Sequence, residues 1–371
     1  MRIDAVELHE IHMRYRAPFE TSFGREDTKT CLLVRVQADG LEGWGEAPVG
    51  RAPLYNEETT DTAWSILEHF IIPPMLGRPA PAPHDFARQV AHIRRHHMAK
   101  AGLEAALWDI EAQRQARPLA AVLGGERDRV QVGVSVGIEP TVDDVVARVE
   151  AFLAQGYRRI KVKIKPGFDI DLVRTIRKRC GDVLLQVDAN SAYSLADAPV
   201  FEAMDDYNLL LIEQPLEEDD IVDHAKLQAQ VRTPICLDES IVHERAARVA
   251  LELNACRVIN IKQGRVGGLS AAVAIHDLCR ANGVPVWCGG MLETGIGRAA
   301  NMALCALPNF TLPADLSASD RYFEEDLIDP PVRLNADGTI TVPTGIGLGV
   351  HIVADRVKRY TVRRARYTSG G

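Results

Sequence analysis

No apolar run in this sequence is long enough to span a bilayer, which takes about 20 consecutive apolar residues in a helix. The run closest to one, Ile71-Ile72-Pro73-Pro74-Met75-Leu76, is short and interrupted by proline. The first twenty residues alternate apolar and polar side chains and contain no apolar core, so they do not read as a secretory leader. Positive charge is in deficit. The 43 Lys and Arg face 51 Asp and Glu, a net charge of −8, which argues against a nucleic-acid surface. The seven cysteines are odd in number, scattered and never at CxxC spacing, which disfavours a disulfide framework or a zinc site and points to reduced thiols. A GxGxxG turn after the first strand of the α/β region, which a dinucleotide-binding fold wants, is also missing. The expectation is a cytoplasmic protein with no nucleic-acid or membrane partner.

What is present is an ordinary globular balance, 46% apolar and 25% charged among 371 residues. That length exceeds the size at which one core stops growing, so two structural units are expected. Residues 1–125 read as an α+β unit. Residues 4–14 and 30–38 alternate like antiparallel strands, and helical patterns follow at 59–70 and 84–115. Over residues 126–325 short apolar runs alternate with amphipathic helical stretches. Eight strand candidates begin at Val130, Ile160, Val183, Leu209, Ile235, Val258, Val284 and Phe310. Such alternation implies βαβ units and a parallel sheet, and eight of them imply an α/β fold closed into a (β/α)-barrel. Residues 326–371 return to strand-like sequence. A hairpin is expected over 332–342 around Gly338, and this tail should pack back on the first unit.

The strongest signal is periodic. Five runs end on a charged side chain at nearly one interval: Lys163, Asp188, Glu213, Asp238 and Lys262 are 25, 25, 25 and 24 residues apart. In a barrel these positions fall on the C-terminal rim, where barrel enzymes do chemistry. One Asp at a strand end is ordinarily a helix cap or turn residue, and one Lys is ordinarily solvated. Five in successive units are not explained that way. Asp188, Glu213 and Asp238 would repel one another unless neutralised. Three carboxylates without His or Cys suit a hard divalent cation such as Mg²⁺ rather than zinc.

Side chains alternate along a strand, so Lys161 and Lys163 share the inward face while Val162 and Ile164 face the helices. Lys165 has the same parity but precedes Pro166-Gly167 and reads as a solvated loop residue. A free lysine, with a pKa of about 10.4, is a poor base at neutral pH. Cationic Lys161 and a metal would both lower that of Lys163. Lys163 on the second strand and Lys262 on the sixth stand on opposite sides of the ring, so a carbon acid between them meets a lysine on each face. One amine can remove a proton while the ammonium opposite returns one, which is racemisation. Alternatively one acts and the other cation stabilises, which permits elimination, with the metal steadying an enediolate.

At these residues the sequence resembles the enolase superfamily and, within it, the muconate lactonizing subgroup. Lys161-Val162-Lys163 is similar to its KxK motif, Asp188, Glu213 and Asp238 to its metal ligands, and Lys262 to its second base. The segments Pro18-Phe-Glu-Thr-Ser-Phe-Gly24, Gly43-Trp-Gly-Glu46, Trp287-Cys-Gly-Gly-Met-Leu-Glu293 and Asp315-Leu-Ser-Ala-Ser319 narrow the likeness to the N-succinylamino acid racemase / o-succinylbenzoate synthase branch, over the whole chain. The resemblance implies a modified TIM barrel with an N-terminal capping domain completed by the C-terminal segment. It also implies Mg²⁺ (or Mn²⁺) as cofactor, a small-molecule carboxylate substrate and a homo-oligomer. Lys163 and Lys262 become the acid/base pair, supported by Lys161. Ser135, Asn190, Gly290, Met291 and Leu292 become substrate-lining residues. Phe19 and Phe23, with the segment around Tyr55, become cap loops that exclude water; plain loop structure is the alternative for them. Arg265, three residues after Lys262, goes with racemase competence in this branch, and its charge could tune the lysine; a surface ion pair is the alternative. Gln263 stands where the branch commonly has proline, which bears on substrate preference.

The implied function is metal-dependent racemisation of N-succinylamino acids (N-acylamino acids), with o-succinylbenzoate synthase activity in the same site. Mandelate racemase-like members use a histidine on the seventh strand, where this chain reads Val284-Pro-Val-Trp-Cys. Dipeptide epimerases carry a DxD on the eighth, where it reads Asp315-Leu-Ser317. Muconate cycloisomerase, which shares the lysines and ligands, is the alternative enzyme. A non-catalytic binding protein on the same fold would have lost ligands or bases, and all five are present.

Overall fold

The computed structural model describes residues 2–21 and 24–369. Three antiparallel strands open the chain, Ile3–Thr21, Gly24–Ala38 and Leu41–Ala47, and Thr361–Thr368 pairs along the outer edge of the first. Val6 lies opposite Val36 and Leu8 opposite Val34, which gives the sheet one apolar face. That face packs on helix His97–Arg114, whose Leu103, Ala106 and Ile110 join the same core. The approach is close because both surfaces carry glycine. A Cβ on Gly45 would sit 2.1 Å from the Gly102 carbonyl oxygen.

Seven parallel strands follow in chain order, each hydrogen-bonded to the next: Gly133–Val136, Arg159–Lys163, Leu184–Asp188, Ile212–Glu213, Ile235–Leu237, Val258–Ile261 and Val286–Cys288. All their residues but Leu184 are buried, as parallel strands covered on both faces should be. The helices between them form the outer layer. Several start on a side-chain cap: Thr141 accepts from Asp144 N, Asp220 from Asp223 N and Thr294 from Ile296 N. Inside the ring, Leu211, Cys236, Val258 and Trp287 make a buried apolar plug. Arg159 and Lys161 lie on the Trp287 indole, 5.3 and 5.1 Å from the ring centroid.

Three local expectations are corrected. The eighth position is not a regular strand. Phe310 bridges Val286 and Ala314 bridges Val132, both in parallel, and this closes the ring with isolated contacts. Pro308 and Pro313 flank the run, and proline cannot donate to a ladder. Residues 332–342 make a turn but not a hairpin. Val332 exchanges hydrogen bonds with Ser319, and Thr339–Thr341 pairs antiparallel with Arg129–Gln131. The helix expected over 84–115 splits into Pro83–Gln89 and His97–Arg114, with Arg95 and His96 in the left-handed region at φ 54° and 51°. The new start is capped from a distance, since buried Glu58 accepts from Met98 N at 2.7 Å and Ala99 N at 3.0 Å. The helix expected over 59–70 forms as Thr60–Ile66 and continues as one π-helical turn, Leu67–Ile71.

All seven cysteines are free thiols. Among the described residues no helix is long and apolar enough to cross a membrane.

Burial raises three carboxyls on or against helix His97–Arg114: Glu58 and Glu104 to about 7, and Asp109 to about 6. An acid raised by folding favours the native state below its unfolded pKa and loses that contribution as pH climbs through the raised value. Asp188 and Asp315 shift the opposite way, and their contributions fade only below pH 3.8. These three acids should therefore each withdraw stability from the metal-free protein between pH 5 and 8 (a range of roughly 3 pH units spanning the raised values), against an opposite gain from His97, which burial lowers to about 4. Glu104→Gln should remove up to about 3 kcal/mol of that loss. Denaturant unfolding of wild type and variant at the two pH values checks this; a variant whose pH dependence matches the wild type contradicts it.

Candidate active site

The rim residues are set by strand register. Lys163 lies beside Asp188, and Asp188 beside Glu213, at the ends of three neighbouring strands. Asp238 and Lys262 sit one residue beyond the fifth and sixth strands. A cavity of about 1000 Å³, counted to its open mouth, separates this rim from the antiparallel unit. Lys161, Lys163, Lys262, Ser135 and Asn190 line it from the barrel, and Gly290, Met291 and Leu292 from the loop after the seventh strand. Phe19 and Tyr55 close it from the other side. The expected lining residues are thus brought together, except Phe23, which lies outside the described residues.

Lys161 is ringed by acids. Its Nζ is 3.2 Å from Asp188, 3.1 Å from Glu213 and 3.1 Å from Asp315. Burial alone would favour the neutral amine, but the three carboxylates reverse that and hold it firmly as ammonium. Lys163 donates to Asp188 at 2.7 Å and to Asn190 Oδ1 at 2.6 Å. Lys262 donates to Asp238 at 2.7 Å and to the Tyr55 hydroxyl at 3.1 Å, and its ammonium lies 4.6 Å from the Tyr55 ring centroid. Burial pushes Lys262 down, while Tyr55, Glu239 and Glu213 push it up by more. A Cβ on residue 289 would lie 2.6 Å from Lys262 Cε, so Gly289 makes room for this side chain.

Arg265 is not a surface residue. It is buried, paired with Asp238, and bonded to the Tyr55 hydroxyl at 3.2 Å. Its influence on Lys262 therefore runs through the two groups that hold that lysine.

The donor chemistry of the three acids fits a hard cation. All are buried carboxylates, and Glu213 Oε2 accepts no hydrogen bond; Lys161 approaches it to 3.1 Å but off a bonding direction. The acids are turned toward basic groups, however, Asp188 and Glu213 toward Lys161 and Asp238 toward Lys262 and Arg265. Among the described residues no group of three His, Cys, Asp or Glu is close enough together to hold an ion. Joint coordination by Asp188, Glu213 and Asp238 requires their side chains to rotate.

Residues 3–124 match the family described as mandelate racemase / muconate lactonizing enzyme, N-terminal domain, and residues 144–356 match the enolase C-terminal domain-like family. This chain is a member of that enolase-superfamily enzyme family. It is 51% identical to an o-succinylbenzoate synthase of Geobacillus kaustophilus over 97% of this chain and 96% of the relative. It is 48% identical to an N-succinylamino acid racemase of Amycolatopsis, over 98% and 99%. A solved enolase-superfamily structure from Listeria innocua superimposes with a TM-score of 0.96 at 38% identity, each chain fully covered.

The site also gathers residues that the periodic pattern does not single out. Asp315 accepts from Ser135 Oγ at 2.6 Å and pairs with Arg159 at 3.5 Å as well as with Lys161. It lies three residues beyond Leu312, where the eighth run stops, so the strand-end interval does not pick it out. Glu239, bonded to Asn190 at 2.9 Å, follows Asp238 without a signal of its own. Lys29, which donates to Met291 O at 2.9 Å across the cavity, has none either.

Asp315→Asn keeps the shape and removes one counter-charge from buried Lys161 and the acid partner of buried Arg159. Metal-free protein carrying it should lose about 3 kcal/mol in urea unfolding, as expected for uncompensated buried charge. An unchanged midpoint would show that the cluster tolerates the loss.

Proposed function

We propose that this chain racemises N-succinylamino acids (N-acylamino acids) by proton transfer between two lysines, with divalent metal, and also acts as an o-succinylbenzoate synthase. One observation carries this: Lys163 and Lys262 come from strands on opposite sides of the barrel and line one cavity above three buried acids. The two named relatives support the pairing of activities, since one is called a synthase and the other a racemase at similar identity. Asp188, Glu213 and Asp238 would hold Mg²⁺ (or Mn²⁺). A cation there would neutralise charge developing on the substrate carboxylate and favour the neutral form of the lysines.

The side chains do the rest. A neutral amine on one face takes the α-proton, and the ammonium on the other returns a proton at the same carbon, inverting it. Asn190, bonded to Lys163 at 2.6 Å, aims that amine. Tyr55 and Asp238 aim Lys262. Lys161, fixed as a cation, adds positive charge beneath the reacting carboxylate. Phe19, Tyr55, Met291 and Leu292 keep water from the carbanionic carbon. For dehydration a single lysine removes the proton, hydroxide leaves from the neighbouring carbon, and the second ammonium stays as a counter-charge. The ligand is a small carboxylate.

With Mg²⁺ in D₂O, both enantiomers of N-succinylphenylalanine should exchange their α-proton, and a chelator should stop it. Lys163→Ala and Lys262→Ala should each lower racemisation about a thousandfold while retaining exchange of one enantiomer. A racemising single variant refutes the two-lysine mechanism. Formation of o-succinylbenzoate from its cyclohexadiene precursor tests the second activity.

A further inference from the structure

Among the described residues Tyr55 is the one cap hydroxyl bonded to Lys262, and the loop that carries it is tied down at two places. At its neck, Gly50 bridges Thr59, and Thr60 N donates to Gly50 O at 2.9 Å. Between these, residues 51–54 and Glu57 are exposed, while Glu58 is 2% exposed. Both Glu58 oxygens are used: Oε1 accepts from Met98 N at 2.7 Å and Oε2 from Ala99 N at 3.0 Å. These are two of the first-turn N–H groups that a helix leaves without internal partners. The helix has no local substitute, because its N-cap, His96, is left-handed and makes no side-chain cap. A carboxylate is also favoured by the positive end of the helix.

The same helix backs Lys262 from behind. Its Glu104 accepts from Ser270 N at 3.3 Å and its Trp108 Nε1 donates to Ser270 Oγ at 3.1 Å, at the start of the helix that follows the Lys262 turn. One rigid element thus fixes both the strand-end lysine and, through Glu58, the loop whose Tyr55 touches that lysine. Among the described residues Lys163 has no such link; its hydrogen bonds go to Asp188 and Asn190, both from the barrel.

We propose that Glu58 is a positioning residue that holds the Tyr55 loop over Lys262 by capping helix His97–Arg114, and so serves one face of the reaction and not the other. Glu58 has this role only if Lys163 and Lys262 act on opposite faces, as proposed above. Glu58→Gln replaces one acceptor with an amide N–H that opposes the Ala99 N–H, which releases the loop.

The test uses the Mg²⁺-loaded enzyme in D₂O with each enantiomer of N-succinylphenylalanine separately. Lys163→Ala identifies the enantiomer served by Lys262. Glu58→Gln should slow exchange of that enantiomer about tenfold more than the other, equivalent to one lost orienting hydrogen bond. Tyr55→Phe should produce the same bias, and the double variant should show no further selective loss. Trypsin should cut after Arg51 faster in Glu58→Gln than in the wild type. Glu58→Asp, which keeps the charge but withdraws it, should bias the ratio the same way and serves if the glutamine variant does not fold. Equal slowing of both enantiomers, or additive effects of Glu58 and Tyr55, would overturn the assignment. Wild-type enzyme that exchanges neither enantiomer would bring down the two-lysine mechanism itself, and the role of Glu58 with it.

Discussion

A buried ammonium held by carboxylates from three separate positions of the ring underlies this architecture. Lys161 cannot lie inside a barrel uncompensated, because taking a single charge out of water costs several kcal/mol. Asp188, Glu213 and Asp315 each approach it within 3.2 Å, and they come from the third, fourth and eighth positions of the ring. Bringing them together requires the ring to be closed and in register. Trp287 seals the cluster below, through the contacts of its ring with Lys161 and Arg159. Water is thereby kept from one side of the charged layer, and the cavity above is left as the route to it.

The antiparallel unit is fastened over that cavity by polar contacts as well as apolar ones. Glu46, 1% exposed at the end of its third strand, accepts from Thr294 N at 3.0 Å, Thr294 Oγ1 at 2.6 Å and Gly297 N at 3.2 Å. It therefore caps the helix Gly295–Cys305 from across the seam, just as Glu58 caps His97–Arg114. Lys29 holds the Met291 carbonyl beside it, at 2.9 Å, and Leu292 is left-handed at φ 54°. Hydrogen bonds of this kind are directional. They fix the substrate-lining loop in one place, where apolar packing alone would allow it to slide.

Much of the catalytic rim was legible in sequence because it rests on short-range regularities. Side-chain alternation put Lys161 and Lys163 on one face, and a repeated strand–helix length put Asp188, Glu213, Asp238 and Lys262 at equivalent strand ends. The Gly43-Trp-Gly-Glu46 segment was visible as a motif, but its physics was not. One glycine admits the helix backbone to 2.1 Å of a Cβ position, and the glutamate serves a helix some 250 residues away. Arg265 was visible as a charge near Lys262, yet its burial against Asp238 and Tyr55 follows from the packing of the loop above it.

By itself the sequence determined the alternation of strands and helices, the inward lysines and the order of acids along the rim, since each depends on a residue and its near neighbours. Tertiary structure alone decided the closure of the ring by isolated bridges at Phe310 and Ala314, the break before His97, the partner of Thr339–Thr341 and the seat of Tyr55 on Lys262. Those outcomes turn on which distant backbone and side-chain groups remain free to bond, and that is settled only when the chain is folded.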